Sequence, residues 1–255
     1  MHYEQICTCL EKGLHVQTEK PMVCQIEHAK DLIARVKKAQ RVLMIGYQRH
    51  YQAEFRYMRD QIKSGALGEV QFVQAIQAQE WLRATAKTWR QELKMSGGGQ
   101  LNDSGSHLID ILLWTTGLTA ESVASYVENY DCEVDIDSAL SFRFTNGAHG
   151  NISIIGDSPM WWEEFSVWGS EGVILYRKNK IMQGSYANPE LTEVTDLPTD
   201  SNPDRNFVDA ILGKGEVGVP PECGLRVIEL TEAAWKSAQL KRPVQVAELS
   251  ESQPA

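Results

Sequence analysis

The sequence lacks a long apolar run, an excess of basic residues and an ordered set of cysteines. No stretch of its 255 residues approaches the ~18 consecutive apolar residues of a transmembrane helix, so we expect no membrane span. The 34 acidic and 25 basic residues give a formal net charge of −9. This balance disfavours nucleic acid and anionic membranes as partners, because both need a basic surface. The first residues also lack the basic cluster and apolar core of a signal peptide.

The cysteines are few and scattered. They are Cys7, Cys9, Cys24, Cys132 and Cys223. An odd, irregularly spaced set does not predict a disulfide framework, and a reducing cytoplasm is the expected location. No CxxC or HxxxH pair has zinc-ligand spacing, so no metal site is expected.

Short nucleotide-binding and nucleophile motifs are absent too. No GxGxxG follows a predicted strand and opens a helix, and no P-loop, GxSxG or HExxH occurs. The composition itself is ordinary, with 42% hydrophobic and 23% charged residues. It is typical of a globular protein with one large or two modest domains.

Hydropathy patterning predicts alternating helices and strands in the first part of the chain. Residues 2–13 have helical character and end at Gly13, and residues 14–18 form a short β-type run. A second helix is predicted over residues 25–39, before the continuous apolar run of residues 41–46. Such runs between helices are typical of strands buried on both faces of a parallel sheet, which makes this part a piece of an α/β fold.

The later residues predict a mostly antiparallel sheet. After a helix over 51–64, the apolar residues that alternate with more polar neighbours are Val70, Phe72, Ile76 and Ala78. Further strands are predicted at 140–145 and 148–155 around an Asn146-Gly147 turn, and at 165–168, 173–176 and 193–197, with helices at 204–212 and 225–240. This sheet is long relative to the helices that can cover it. We expect it to pack on the α/β part or to meet a second subunit.

The segment Glu19-Lys20-Pro21 follows the first predicted strand. Ligands of open α/β sheets bind outside the carboxyl ends of the strands. A lysine there can supply positive charge to a developing oxyanion or hydrogen-bond a ribose. The alternative is a surface turn that happens to hold a lysine.

The second predicted strand is followed by Tyr47, Gln48 and Arg49, again at the ligand edge of the sheet. Arg49 can meet a phosphate or a substrate hydroxyl, or it can be a surface arginine that covers aromatic side chains. Trp89 precedes a run of three glycines and can form the wall of a pocket.

Three consecutive glycines, Gly97-Gly98-Gly99, either bring the backbone close to a ligand or form a flexible loop. Asp103 and His107 follow, just before an apolar helix that is predicted to end near Gly117. If the helix covers both residues, the carboxylate lies beside the imidazole, favours its charged form and orients it as a general acid/base. The alternative is an N-capping aspartate and a buried histidine. Asp110 is expected to be a satisfied polar group at the helix edge.

Taken in order, these segments resemble the glucose–fructose oxidoreductase/inositol dehydrogenase (Gfo/Idh/MocA) family over nearly the whole chain. The segments that carry the resemblance are Glu19-Lys20-Pro21, Gly46-Tyr47-Gln48-Arg49, residues 62–69, Trp89-Arg90 before Ser96-Gly97-Gly98-Gly99, and residues 206–211 and 226–230. Their combined order and spacing is specific to the family.

The resemblance implies two domains of α/β and α+β class. Residues 1–50 would be a partial nucleotide-binding Rossmann domain with a parallel sheet, whose first half, including the glycine-rich turn for the pyrophosphate, is missing. Residues 51–240 would be a C-terminal substrate and oligomerisation domain with a large open, mostly antiparallel sheet. Its last helix would pack back on the Rossmann part, and residues 241–255 would form a polar tail.

The resemblance also assigns roles to residues. Lys20 matches the active-site lysine of the family, and Asp103 and His107 match its Asp-x-x-x-His pair, with His107 as the proton acceptor. The expected cofactor-binding residues are Glu19, Lys20, Pro21, Gln48 and Arg49, and the expected substrate-binding residues are Tyr47, Arg49, Trp89, Asp103 and His107.

The implied activity is hydride transfer between NAD or NADP and a hydroxyl or carbonyl of a sugar, polyol or cyclitol, in a truncated form of the enzyme. The small sugar-like substrate and a homo-oligomer through the C-terminal sheet are the expected partners. The alternative is a non-catalytic sugar-binding or dimerisation module derived from such an oxidoreductase.

Overall fold

The computed structural model describes residues 2–251, with the side chains of 250 and 251 excepted. Its first part is a two-stranded parallel sheet of β1 (Val16–Thr18) and β2 (Leu43–Ile45). Helix α1 (His2–Glu11) precedes β1, and helix α2 (Ile26–Ala39) connects the two strands. The predicted order of helix, strand, helix and strand is confirmed.

Burial explains why these residues form this layer. All three residues of β2 are buried, as the continuous apolar run requires. Helix α2 buries Ile26, Ala29 and Leu32, which share one face at helical spacing. Burial of a large aliphatic side chain such as Ile26 or Leu32 contributes roughly 1.5–3 kcal/mol. Helix α7 (Pro221–Leu240) covers this layer and packs against α2 and β2.

The second part of the chain is built around a nine-stranded mixed sheet. After α3 (Ala53–Lys63), its strands are β3 (Val70–Glu80), β4 (Ala120–Glu128), β5 (Asp137–Phe144), β6 (His149–Ile155), β7 (Asp157–Gly169), β8 (Gly172–Arg177), β9 (Lys180–Ser185), β10 (Thr192–Val194) and β11 (Val244–Gln245). The other helices are α4 (Leu93–Ser96), α5 (Gly105–Thr116), α6 (Pro203–Ile211) and α8 (Glu248–Glu251), with 3₁₀ turns at Gln48–Tyr51 and Trp89–Gln91. The strand order is β10-β9-β8-β7-β3-β6-β5-β4-β11.

Strand β3 runs through the middle of this sheet. It pairs in parallel with β6 and antiparallel with β7, and the remaining pairs are antiparallel. The expectation of a mostly antiparallel sheet is therefore confirmed, with one parallel pair. The hairpin of β5 and β6 turns at the predicted Asn146-Gly147, where Gly147 has a φ of +88°.

The alternating residues Val70, Phe72 and Ile76 do not form the buried face of β3. Its buried face carries Val73, Ala75 and Gln77, and helix α5 packs on this strand. Phe72, on the other side, is 36% exposed and lies opposite Trp168 of β7. Gln77 interrupts the apolar residues on the buried face of β3. The apolar residues that alternate regularly in the sequence therefore lie mostly on the other face.

Three strands of the large sheet, β4, β9 and β11, are not predicted by the patterning. Strand β11 and helix α8 lie in the segment that was expected to be a polar tail. Val244 is fully buried opposite Val123 of β4, and Leu249 is also buried, so the sheet extends to this segment. Within the described residues, none of the helices combines the length and apolar character of a membrane span.

Candidate active site

Lys20 and Asp103 meet at the carboxyl end of β1. Lys20 follows this strand, and Asp103 lies in the turn before α5. The Lys20 ammonium donates to Oδ1 of Asp103 at 2.9 Å and to its backbone carbonyl at 3.0 Å. The fold thus joins two candidate residues that are 83 positions apart in the chain.

The Asp103 carboxylate has two further partners. Trp81, just after β3, donates from Nε1 to Oδ2 at 3.1 Å, and Nε of Arg90 lies 3.4 Å from the same oxygen. Burial raises the pKa of Asp103, but the charge and hydrogen bond of Lys20, with Trp81 and Arg90, lower it below its usual value. Asp103 is therefore an ionised carboxylate. The sequence pattern does not predict Trp81 as a site residue, because a single aromatic residue after a strand is not specific to any kind of site.

His107 lies on α5, whereas Asp103 precedes this helix, which begins at Gly105. The imidazole makes an edge contact with the Tyr47 ring, 5.8 Å between ring centres. Its Nδ1 is buried and has no hydrogen-bond partner within the described residues.

The electrostatic environment keeps His107 neutral. Burial, followed by the positive charges of Lys20 and Arg49, lowers the pKa of His107 to about 3, against the opposing effect of Asp103. Asp103 does favour the charged imidazolium, but its effect is smaller than the combined effect of burial and the two cations, so His107 is neutral. The carboxylate pairs with Lys20, and the positive charges of Lys20 and Arg49 disfavour a charged imidazole.

The residues after β2 divide between core and surface. Tyr47 is 1% exposed and packs behind His107, so its predicted contact with substrate is not supported. Gln48 is exposed. Both terminal nitrogens of the Arg49 guanidinium bind Glu163 of β7, at 2.9 and 2.6 Å. The guanidinium thus has a carboxylate partner within the protein, and the contact of Arg49 with a phosphate or hydroxyl stays a prediction.

In the glycine loop, defined as residues 97–101, backbone amides donate hydrogen bonds to another residue of the protein. The amides of Gly99 and Leu101 donate to the carboxylate of Asp135 at 2.9 and 2.7 Å. These two amides are therefore not available to a ligand. This differs from the expectation that the three glycines bring the backbone close to a ligand. Asp135 carries no sequence signal of this contact.

A cleft of about 860 Å³ opens beside the Lys20–Asp103 pair. The predicted residues that line it are Glu19, Lys20, Pro21, Trp89 and Asp103. Trp89 is 48% exposed, and the Arg90 guanidinium lies 4.7 Å from the centre of its ring. A cleft of this volume with charged groups at one wall suits a small polar ligand.

A second polar cluster is buried beneath α5. His50, Asp110 and Cys223 are the one group of possible metal ligands that residues 2–251 bring together. Nε2 of His50 lies 2.7 Å from Oδ2 of Asp110, so these two side chains satisfy each other, as expected for Asp110. Burial, followed by the charge of Asp110, raises the pKa of the Cys223 thiol to about 12, which keeps it protonated.

Comparison with known proteins gives matches in both parts of the chain. Residues 1–47 match a family model described as an oxidoreductase family with an NAD-binding Rossmann fold. Residues 55–175 match a model described as the GFO/IDH/MocA C-terminal domain.

The curated relatives include dehydrogenases. D-glucoside 3-dehydrogenase of Escherichia coli is 30% identical over 47% of this chain, and the match spans about a third (34%) of that enzyme. The NADP(+)-dependent scyllo-inositol 2-dehydrogenase of Bacillus subtilis is 24% identical over 96% of this chain and 75% of its own length. A solved oxidoreductase domain protein from Kribbella flavida has a TM-score of 0.88 at 19% identity, over 96% of this chain and 78% of its own. The fold of the two proteins is the same.

Proposed function

Because this chain belongs to the Gfo/Idh/MocA oxidoreductase family, we propose that it acts as an NAD(P)-dependent oxidoreductase. The proposed reaction is hydride transfer between the nicotinamide and a hydroxyl or carbonyl of a sugar, polyol or cyclitol. The observation that carries this proposal is the Lys20–Asp103 ion pair beside neutral His107, at the carboxyl end of a parallel strand. These are the groups needed to take a proton from a hydroxyl and stabilise the resulting charge.

The residues at this edge fit the nicotinamide end of such a cofactor. The Lys20 side chain is 17% exposed beside the cleft, and Nδ1 of His107 lacks a hydrogen-bond partner within residues 2–251. Glu19, Lys20, Pro21 and Gln48 would hold the cofactor. When bound, the cofactor accepts or supplies the hydride.

His107 would move the proton. A neutral imidazole has one ring nitrogen that accepts, and His107 is neutral because of its burial and the two cations near it. The positive charge of Lys20 would also stabilise an oxyanion on the substrate. Asp103 orients Lys20 through a direct ion pair and a backbone contact.

Titration of the 255-residue chain with NADH and with NADPH, followed by nicotinamide fluorescence, tests the cofactor. We expect saturable binding in the micromolar range, and turnover in a screen of sugars and polyols. K20A and H107A should then lower kcat/KM. Absence of binding at millimolar nucleotide contradicts the proposal, and unchanged kcat/KM in both variants contradicts the residue roles.

We further propose that two copies associate through the outward face of the large sheet. Phe72 and Trp168 lie opposite each other there and are 36% and 47% exposed, and Tyr126 on the same face is 85% exposed. A sheet face with several exposed aromatic side chains favours an interface. Light scattering should give at least twice the 28.7 kDa mass of the chain, and a strict monomer contradicts this.

The same face supports the alternative function, a non-catalytic sugar-binding or dimerisation module. That module would bind polyols with no effect of nicotinamide nucleotides. A reducing cytoplasm is the proposed location, and the five cysteines, all free of disulfides, support it.

A further inference from the structure

The backbone of the glycine loop is directed at one acidic residue, Asp135, which lies just before β5. The amides of Gly99 and Leu101 donate to its two carboxylate oxygens. The amide between them, that of Gln100, donates to the backbone carbonyl of Asp135 at 2.9 Å. Asp135 is 5% exposed. Burial raises the pKa of its carboxyl, and the hydrogen bonds from Leu101, Gly99 and Trp235 oppose this rise.

Helix α7 contributes a fourth donor, and two glycines of the loop lie in close contact with their neighbours. Nε1 of Trp235 donates to Oδ1 of Asp135 at 2.9 Å. A Cβ at Gly99 would lie 1.8 Å from the Asp135 carbonyl oxygen, and a Cβ at Gly98 would lie 2.5 Å from the Trp235 ring. The two glycines are therefore needed for contact with Asp135 and Trp235.

The same loop leads directly into the candidate site. The amide of Asp103 donates to the carbonyl of Gly99 at 2.9 Å, and the amide of Gly105 donates to the carbonyl of Gln100 at 2.8 Å. The glycine loop, the turn that carries Asp103 and the first residue of α5 thus form one hydrogen-bonded unit.

We propose that Asp135 is a positioning residue: by holding the glycine loop, it fixes the place where the Asp103 carboxylate meets Lys20. The effect of Asp135 on catalysis rests on the proposed function. The hold of Asp135 on the glycine loop does not, so these two parts are tested separately.

Hydrogen exchange tests the hold on the loop. In D135N the side chain keeps its shape but has one acceptor oxygen, and its NH2 group faces a backbone N–H. We expect the amides of residues 99–101 to exchange on the order of tenfold faster, because at least one hydrogen bond is lost. The matched control is D137N, since Asp137 accepts from a different loop, through the amide of Gly156 at 2.7 Å. Equal protection of residues 99–101 in D135N and the parent overturns the proposal.

Chemical labelling tests the effect on the site without any enzyme activity. Acylation of Lys20 by N-hydroxysuccinimidyl acetate, followed by mass spectrometry, reports whether its ammonium is held by Asp103. D103N sets the rate for a broken pair. We expect D135N to move the Lys20 rate toward that of D103N, while D137N stays at the parent rate. A Lys20 rate in D135N that equals the parent rate overturns the positioning role.

Kinetics complete the test where the parent turns over a sugar or polyol. D135N should lower kcat on the order of tenfold and leave the KM for the nucleotide unchanged, because it disturbs Asp103 and not the cofactor-binding residues. An unchanged kcat overturns the positioning role. If the parent binds no nucleotide, the proposed function fails, and exchange and labelling still decide the role of Asp135.

Discussion

Arg49 and Glu163 form a two-pronged ion pair between the turn after β2 and strand β7, with N–O distances of 2.9 and 2.6 Å. Their side chains are 12% and 6% exposed. The pair ties the small parallel sheet to the large mixed one. Removing one charge would leave the other buried without a partner, which is costly.

We expect E163Q to lower the free energy of unfolding by roughly 3 kcal/mol, because Arg49 keeps its charge and loses its counter-charge. Urea unfolding measures this loss. The control is E193Q, since the Lys180–Glu193 pair has a similar distance of 2.7 Å but side chains that are 57% and 42% exposed. That variant should lose less than about 1 kcal/mol. Equal losses in the two variants contradict the prediction.

Replacement of Lys20 by alanine should reduce kcat/KM by roughly a hundredfold to a thousandfold, the usual effect of removing one oxyanion-stabilising donor. Asp103 keeps Trp81 and Arg90 as partners, so the fold should persist, as circular dichroism can verify. K63A, at the end of α3, is the control for loss of a lysine. A K20A enzyme as active as K63A would remove Lys20 from the mechanism.

His107 should make the protein less stable as the pH falls. Its folded-state pKa is lowered to about 3, mainly by burial, whereas an unfolded histidine has a pKa of about 6.5. Between these values the unfolded chain binds a proton that the folded chain does not, so the free energy of unfolding decreases with falling pH. The slope from this group approaches about 1.4 kcal/mol per pH unit.

Urea unfolding of the parent and of H107N at several pH values between about 3 and 6.5 measures this slope. We expect H107N to remove it. The same slope in both proteins would mean that His107 is not held neutral by the fold.

G99A should destabilise the protein by roughly 1–3 kcal/mol or prevent folding, because the new methyl group would overlap the backbone of Asp135. G215A is the control, since a Cβ there meets no atom within 4 Å. Thermal unfolding compares the two. A G99A protein as stable as G215A would show that the glycine loop can shift.

Elements with a strong local pattern are predictable from the sequence. Helix α2 has a clear apolar face, β2 is a continuous apolar run, and the β5–β6 hairpin has an Asn-Gly turn. The orientation of β3 is not predictable in this way, because Gln77 is buried on its core face by tertiary packing.

The candidate site, too, is predictable from the sequence only in part. Lys20 and Asp103 are found at the predicted strand end and helix start, but their partners Trp81 and Arg90 come from elsewhere in the fold. The spacing of Asp103 and His107 suggested a charged pair. Burial and the charges of Lys20 and Arg49, which come from other segments, outweigh the effect of Asp103 on His107. Glu163 and Asp135 act over long sequence separations and leave no local pattern.

The packing of α7 has a consequence for the order of events during synthesis. The amide of Ile45 in β2 donates to the carbonyl of Val219, just before α7, and Gly224 of this helix lies against Ile45 and Met22. On the ribosome, the first strands emerge long before residues 221–240 are made. One side of the small sheet therefore stays open until residues 221–240 have been synthesised, and its final packing follows their synthesis.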